Sequence, residues 1–368
     1  MIPQSSPVSA YLRQRDVIEA AIRRVLASGR YVLGDEVRNF ESEFATAHRA
    51  AWTVGVASGT DAVELALRVL GVGPGDGVVT VSHTAVATVA AIARIGAVPL
   101  FVDVDQERYT MSPRSLREAL ECTAGRAKAV VAVHLYGQPA DMPEILAIAR
   151  EYGLPVVEDC AQAHGASLDG HPVGTWGDLG CFSFYPTKNL GAFGDGGAVV
   201  GSDERHLKPL RALREYGWET RYVSRKFGVN SRLDELQAAV LRVRLAVLDD
   251  DNRRRRRIAE LYDERIDADC IAKPRRFPGA EHVYHQYVIQ APQRDQLQKA
   301  LADLGVATLV HYPRAVHQQP AYDDESFRPV ALPNTESVVS RVLSLPMFPE
   351  MTLEQVETVC AAVTRCLR

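Results

Sequence analysis

The chain has little cysteine for its length, and none of it is arranged as in a metal site or a disulfide framework. Only six of the 368 residues are cysteines, and they are scattered from Cys122 to Cys366 without a Cys-x-x-Cys spacing. That spacing is typical of zinc sites, and clustered cysteines are typical of small secreted domains. We therefore expect no metal, no disulfides and a cytoplasmic location, where thiols stay reduced.

A strong charge of either sign and a long hydrophobic run are also missing. The net charge is −4, whereas nucleic-acid binding requires a basic surface, so we expect no nucleic-acid partner. The most apolar window, Thr84–Val102, is interrupted by Arg94, Gly96 and Pro99. We therefore expect no membrane span, and the N-terminal residues do not resemble a signal peptide.

Short β-rich runs alternate with helical stretches between residues 52 and 201. The runs that predict strands are Thr53–Ala57, Val78–Ser82, Val98–Val104, Ala129–Leu135, Leu154–Glu158, Gly180–Phe184 and Gly197–Gly201. The helical stretches between them are Asp61–Leu70, Ala85–Ile95, Pro113–Leu120 and Met142–Glu151. Most runs are nearly continuous in apolar residues, which is typical of strands buried on both faces. We predict an α/β domain with a mostly parallel seven-stranded sheet and ligands near the carboxyl ends of its strands.

A chain of 368 residues is too long for one small core, so we expect two domains. An amphipathic stretch from Leu233 to about Arg265 predicts a long helix that contains Asp249–Asp251 and Arg253–Arg257. Because each of the first three arginines follows an aspartate by four residues, we expect ion pairs on a solvated helix face. We predict a large α/β domain with N-terminal helices over residues 1–248 and a smaller C-terminal α+β domain over residues 249–368.

One lysine, Lys188, lies in the otherwise small, apolar and aromatic stretch from Gly180 to Gly197, just after a predicted strand. A lysine in partly desolvated surroundings loses its charge readily and becomes a nucleophilic amine, as a Schiff-base lysine requires. Taken alone, the stretch is better explained by a surface lysine on a glycine-rich loop.

Three further polar stretches lie at predicted strand or helix ends. Ser58–Asp61 precedes a helix, where free amides bind anions or a hydroxyl caps the helix. Glu158 and Asp159 end a strand, so their side chains point in opposite directions and only one faces a given site. Asn230 precedes the long helix, where its side chain either caps the helix or serves as a polar donor to a ligand. Together with Lys188, these stretches supply an anion cradle, a partner for a ring nitrogen, an amine and polar donors, which a pyridoxal phosphate site requires.

Five stretches also match a known family in their order along the chain: Ser58–Ala62, Leu135–Met142, Glu158–Gly165, Ser183–Gly191 and Asn230–Ala239. Over nearly its whole length, the chain resembles the fold-type I, pyridoxal-phosphate-dependent nucleotide-sugar aminotransferases of the DegT/DnrJ/StrS family. The resemblance implies a homodimer with a shared active site, L-glutamate as amino donor and a role in deoxysugar biosynthesis.

The resemblance also implies residue roles in cofactor binding and catalysis. Lys188 would hold pyridoxal 5'-phosphate as a Schiff base and move the proton, while Asp159 would keep the ring nitrogen protonated. Gln162 would contact the ring hydroxyl. The implied phosphate contacts are Ser58, Gly59, Thr60, Ser183 and, from a second subunit, Asn230.

The aromatic residue that stacks on the cofactor ring in many family members is missing here. It usually follows a Ser-x-Thr turn, and Ala85 occupies that place. We therefore expect the imidazole of His83 to supply the stacking ring.

The sugar side of the site is less specific. The run Arg214–Trp218, together with the stretch that begins at Asn230, resembles the branch that acts on dTDP-linked 3-keto-6-deoxyhexoses. A 4-keto nucleotide sugar and a cyclitol ketone are the alternative substrates. A regulatory relative without catalytic activity is the alternative to an enzyme. Tyr185, His311 and Tyr312 resemble the sugar contacts of the family, although packing at a domain junction would also explain them.

Overall fold

The computed structural model describes residues 1–123, 125–267, 270–322 and 331–367. The α-helices are α1 (Pro7–Arg13), α2 (Arg15–Ser28), α3 (Asp35–Ala47), α4 (Gly59–Val69), α5 (Val86–Arg94), α6 (Pro113–Cys122), α7 (Met142–Glu151), α8 (Glu204–Leu213), α9 (Glu235–Leu245), α10 (Leu248–Arg265), α11 (Arg294–Asp303), α12 (Pro333–Arg341) and α13 (Leu353–Leu367). The strands are β1 (Trp52–Val56), β2 (Gly77–Val81), β3 (Val98–Val102), β4 (Ala127–Val133), β5 (Val156–Asp159), β6 (Ser167–Leu168), β7 (His171–Pro172), β8 (Leu179–Ser183), β9 (Gly197–Gly201), β10 (Trp218–Thr220), β11 (Val223–Ser224), β12 (Ala280–Glu281), β13 (Tyr287–Gln290) and β14 (Val342–Leu345).

The predicted seven-stranded, mostly parallel sheet is confirmed. Its strand order is β1-β9-β8-β5-β4-β2-β3. The pairs among β8, β5, β4, β2 and β3 are parallel, whereas β9 pairs antiparallel with both β1 and β8. Since β9 alone is reversed, β1, β5 and β8 end at the same edge of the sheet.

Both faces of this sheet are buried, which explains the continuous apolar runs in the sequence. Val78 and Val131 pack into one core cluster with helices α4, α5 and α8. Their neighbours Val79 and Val130 pack into another with α6 and α7. Successive side chains of a strand alternate between faces, so helices on both sides require apolar residues at every position.

A separate apolar cluster joins α10, α11 and α13 to the two-stranded sheet of β13 and β14. The start of the chain also packs there, because Ile2 forms a parallel bridge with Val306. The division into domains at residue 248 stays a prediction.

The predicted long helix is interrupted. Helix α9 ends at Leu245 and α10 begins at Leu248, although neither proline nor glycine stands between them. Nothing local in the sequence therefore signals the break, and both leucines pack against one apolar cluster.

The predicted solvated face of α10 is wrong for two of its charges. Asp251 is buried and pairs with Arg13 at 2.7 Å. Arg255 is buried and donates to the carbonyl oxygens of Tyr284, at 3.2 Å, and Met347, at 3.1 Å. Their partners are distant in sequence, so helical spacing could not reveal them.

Two further features concern the whole described chain. Among the described residues, none of the helices combines the length and the apolar composition that a membrane crossing requires. All six cysteines lie in the described part, and each has a free thiol.

Candidate active site

A cavity of about 240 Å³ opens where β1, β5 and β8 end. Many of the predicted site residues line it together: Ser58, Gly59, Thr60, Asp159, Gln162, Ser183, Tyr185 and Lys188. They meet because the carboxyl ends of parallel strands lie at one edge of the sheet.

The start of helix α4 forms one wall of the cavity. Ser58 is the N-cap, and its hydroxyl accepts a hydrogen bond from the amide of Asp61 at 3.1 Å. The amides of Gly59 and Thr60 belong to the first turn, where they have no intrahelical acceptor and can bind an anion. A Cβ on Gly59 would lie only 2.5 Å from Cβ of Ser183. The approach of α4 to β8 therefore requires glycine at this position.

The two acids that end β5 have different surroundings. Glu158 is fully buried away from the cavity and accepts hydrogen bonds from Nε2 of His134 and from the amides of Gly174, Trp176 and Gly177 at 2.8–3.0 Å. Asp159 lines the cavity and is 7% exposed. Glu158 is therefore occupied within the fold, and Asp159 is the acid available to a ligand.

Asp159 has two neutral hydrogen-bond partners. Its Oδ2 accepts from the hydroxyl of Thr88 at 2.8 Å, and its Oδ1 accepts from the amide of Ala161 at 3.1 Å. Among the described residues, neither oxygen forms an ion pair with a lysine or an arginine. A buried carboxylate of this kind is stabilised by a cation, which a bound ligand can supply.

Lys188 follows β8 and lines the same cavity as the start of α4. Its backbone amide donates to the carbonyl of Tyr185 at 2.8 Å, and the next side chain, Asn189, anchors the loop by donating to Asn252 at 2.9 Å and to the carbonyl of Val283 at 3.0 Å. Burial lowers the pKa of the Lys188 amine from 10.5 to about 8, although the charge of Asp159 acts in the opposite direction. The amine is therefore partly uncharged near neutral pH, as a nucleophile requires.

Gln162 joins the cavity to the C-terminal part of the chain. Its Oε1 accepts from the amide of Tyr136 at 2.7 Å, and its Nε2 donates to the hydroxyl of Tyr312 at 3.0 Å. One proton of Nε2 is left for a ligand. Tyr185 also lines the cavity, with a side chain that is 51% exposed.

Four predicted residues do not line the cavity: His83, Asn230, His311 and Tyr312. His83 is 1% exposed, with Nε2 2.9 Å from the hydroxyl of Tyr136, so this position does not favour the predicted ring stacking. Asn230 is exposed and forms a backbone bridge with Glu215. Nδ1 of His311 lies 2.8 Å from the hydroxyl of Ser344. The hydroxyl of Tyr312 accepts from Gln162, which does line the cavity.

Sequence reasoning missed two residues that contact this site. Thr88, in α5, donates to Asp159, and Tyr136 binds Gln162 through its backbone. Tyr136 belongs to a stretch that matches the family, but neither residue type signals a hydrogen-bonding role by itself.

Comparisons with known proteins agree with this geometry. Residues 13–364 match the DegT/DnrJ/EryC1/StrS aminotransferase family. The chain belongs to this family. It is therefore an aminotransferase that uses pyridoxal phosphate.

The aminotransferase has relatives of nearly the same length. A Saccharopolyspora erythraea protein, named erythromycin biosynthesis sensory transduction protein EryC1, is 47% identical over 356 residues, 96% of each chain. A dTDP-3-amino-3,6-dideoxy-alpha-D-galactopyranose transaminase from Aneurinibacillus thermoaerophilus is 44% identical over 365 residues, 99% of each chain. The crystal structure of S. venezuelae DesV in complex with a ketimine intermediate superimposes with a TM-score of 0.95 at 43% identity, covering 100% of this chain and 99% of that one.

The residues of the aminotransferase cavity fit pyridoxal phosphate. The buried carboxylate of Asp159 matches a protonated ring nitrogen, and the depressed pKa of Lys188 matches a Schiff-base amine. The first-turn amides of α4, beside Ser183, match a phosphate group. The cavity therefore has a suitable group for each polar end of the cofactor.

Proposed function

We propose that the protein transfers the amino group of L-glutamate to the keto group of a dTDP-3-keto-6-deoxyhexose, forming the dTDP-3-amino-3,6-dideoxyhexose. The observation that carries this proposal is one cavity shared by Lys188, Asp159 and the start of α4. The choice of sugar is supported by the transaminase relative, 44% identical over 99% of each chain, whose name specifies a 3-amino-3,6-dideoxy sugar.

Each polar residue of the cavity has a separate task in this proposal. When bound, pyridoxal phosphate supplies an electron sink for the negative charge that develops at the α-carbon of the donor. Lys188 would take the proton from this carbon with its uncharged amine and pass it to the cofactor. Asp159, held by Thr88 and Ala161, keeps its negative charge directed at the ring nitrogen. Gln162 directs its remaining Nε2 proton at the ring oxygen.

The position of the new amino group tests the sugar assignment. Purified protein is incubated with L-glutamate and, separately, with the 3-keto and the 4-keto forms of the dTDP-linked deoxysugar, and the aminated carbon is identified by NMR. Amination at C3 is expected. Amination at C4 alone would contradict the proposal and favour the 4-keto alternative.

A regulatory role without catalysis is the second candidate, because one relative is named a sensory transduction protein. The retained lysine and carboxylate favour the enzyme. Protein loaded with pyridoxal phosphate is expected to absorb visible light, and this band is expected to change on addition of glutamate and to be absent in Lys188→Ala. Protein that takes up no cofactor would favour the regulatory role.

We further propose that the active site is shared between two subunits, with Asn230 reaching the cofactor phosphate of the partner. Support comes from the exposed side chains near Asn230: Phe227 is 97% exposed and Tyr222 is 74% exposed. Exposed large apolar side chains of this kind are typical of protein interfaces.

Mixing two inactive variants tests the sharing. A dimer of one Lys188→Ala chain and one Asn230→Ala chain contains one complete site if Asn230 acts on the partner. Activity is therefore expected to return after the chains are exchanged. If Asn230 acts within its own chain, every site stays defective and no activity returns.

A cytoplasmic location is proposed on the state of the cysteines. All six are free thiols, and Cys160 and Cys181 are buried, as in proteins of reducing compartments. Disulfides found by mass spectrometry of protein alkylated in intact cells would contradict it.

A further inference from the structure

His83 and Tyr136 form a buried hydrogen-bonded pair beside the cavity. Nε2 of His83 lies 2.9 Å from the hydroxyl of Tyr136. The same hydroxyl donates to the backbone carbonyl of His311. Tyr136 therefore connects the loop after β2, through the turn after β4, to the C-terminal segment that holds His311 and Tyr312.

The direction of these hydrogen bonds follows from chemistry. A carbonyl oxygen only accepts, so the single proton of the Tyr136 hydroxyl points at His311. Nε2 of His83 must then carry a proton and donate it to Tyr136. Burial lowers the pKa of His83 to about 3, so the ring is neutral and its other nitrogen carries no proton. His83 is a fixed donor over the physiological pH range.

The backbone amide of Tyr136 orients the side chain of Gln162. Its amide donates to Oε1 of Gln162 at 2.7 Å, which turns Nε2 of Gln162 toward the hydroxyl of Tyr312 at 3.0 Å. That hydroxyl accepts from Gln162, and its own proton has no hydrogen-bond acceptor among the described residues. Tyr136 thus contacts both the backbone of the C-terminal segment and the side chain that orients Tyr312.

We propose that His83 and Tyr136 are positioning residues that hold the segment of His311 and Tyr312 against Gln162, and thereby set the affinity for the sugar substrate. This inference rests on the proposed function. It also replaces the stacking role expected for His83, since Thr84 and Ala85 line the cavity and His83 does not.

The Tyr136→Phe variant tests the role of the hydroxyl. It leaves the carbonyl of His311 and Nε2 of His83 without their partner, so we expect KM for the sugar nucleotide to rise about tenfold. The rate of the glutamate half-reaction, followed by the absorbance of the bound cofactor, is expected to stay within about twofold, because Lys188 and Asp159 are untouched. Equal losses in both half-reactions would overturn the proposal.

Tyr109→Phe is the matched control. Tyr109 is buried in the same aromatic cluster, 5.5 Å from Tyr136 between ring centroids, but its hydroxyl accepts from Gln290 instead. The Tyr109→Phe variant is expected to have the same KM for the sugar as the native protein. If Tyr109→Phe raises KM as much as Tyr136→Phe does, the effect is general core loosening and the proposal fails.

Variants of His83 separate positioning from stacking. His83→Gln retains a donor at a similar distance and is expected to keep KM for the sugar near that of the native protein, whereas His83→Phe is expected to raise it as Tyr136→Phe does. If His83 stacks on the cofactor, His83→Phe will instead leave the dissociation constant of the cofactor unchanged, and His83→Gln will weaken cofactor binding. That second pattern would overturn the proposal.

Hydrogen exchange provides a readout that needs no substrate. The backbone amides of residues 309–312 in the cofactor-loaded protein are expected to exchange faster in Tyr136→Phe than in Tyr109→Phe. Equal exchange would overturn the inference whichever sugar the enzyme uses. Native protein that aminates only a 4-keto sugar would contradict the proposed function alone, and the KM comparison is then made with that sugar.

Discussion

The cavity wall proposed for the cofactor and the neighbouring segment proposed for the sugar, the cofactor side and the sugar side, are built in different ways. On the cofactor side, Ser58, Asp159 and Ser183 stand at the ends of three strands of one sheet, so the sheet itself brings them together. On the sugar side, Nε2 of Gln162 donates to the hydroxyl of Tyr312, and the hydroxyl of Tyr136 donates to the carbonyl of the neighbouring His311. These residues come from distant parts of the chain. The first arrangement follows from topology and the second from individual contacts.

This difference predicts how each side responds to mutation. A substitution on the cofactor side should affect the two half-reactions together, because both use the same cofactor. A substitution on the sugar side should affect only the half-reaction that consumes the ketone. Measuring the half-reactions separately therefore tests whether the two sides are independent.

Replacing the amine of the cofactor side has the largest expected effect. Lys188→Ala removes both the covalent attachment and the proton carrier, so each half-reaction should slow by at least about 10³-fold. Stopped-flow absorbance with glutamate, and separately with the keto sugar, measures the two rates. Retention of either half-reaction at the native rate would mean that another group moves the proton.

Asp159→Asn is expected to have the next largest effect. It keeps the shape of the side chain but removes the negative charge that faces the ring nitrogen, so both half-reactions should slow by about 10²-fold. A loss confined to the sugar half-reaction would contradict the division between the two sides. Glu158→Gln is a poor control, because Glu158 accepts four hydrogen bonds within the fold.

The sequence predicted many of the residues that line the cavity because strand ends are visible as breaks in apolar runs. Seven runs matched the strands of the sheet, and the polar residues after them met at one edge. Contacts between distant residues left no such pattern: Asp251 and Arg255 were expected on a solvated face but are buried against Arg13 and against backbone carbonyls. The hydrogen bond between His83 and Tyr136 could not be identified from spacing either, and the stacking role expected for His83 stays a prediction.

The pH dependence of cofactor uptake isolates Lys188. Burial lowers its pKa from 10.5 to about 8, so the uncharged fraction rises about tenfold between pH 7 and pH 9. The rate at which the cofactor-free protein forms its visible absorption band should rise in parallel, with a midpoint near pH 8. Lys188→Ala is the control for uptake by other amines. A midpoint near 10 would show that the amine is solvated.

Thr88→Val should give the smallest effect and the sharpest comparison. The change preserves the shape of the side chain but removes the hydroxyl that donates to Oδ2 of Asp159 and lies 2.9 Å from the hydroxyl of Thr84. Loss of one donor should slow both half-reactions equally, by about fivefold. The control is Thr53→Val, since the hydroxyl of Thr53 is buried without a hydrogen-bond partner among the described residues.

Thr88→Val and Tyr136→Phe each remove one buried hydroxyl, and they differ in the residue that loses its donor. If the two sides are independent, the first variant slows both half-reactions and the second weakens only sugar binding. The double variant should then lower kcat/KM for the sugar by the product of the two single-variant factors, because residues without shared partners act additively in free energy. A double variant whose kcat/KM for the sugar lies clearly below or above that product would mean that Asp159 and the sugar segment are coupled. Gln162, which lines the cavity with Asp159 and donates to Tyr312, is then the first residue to replace.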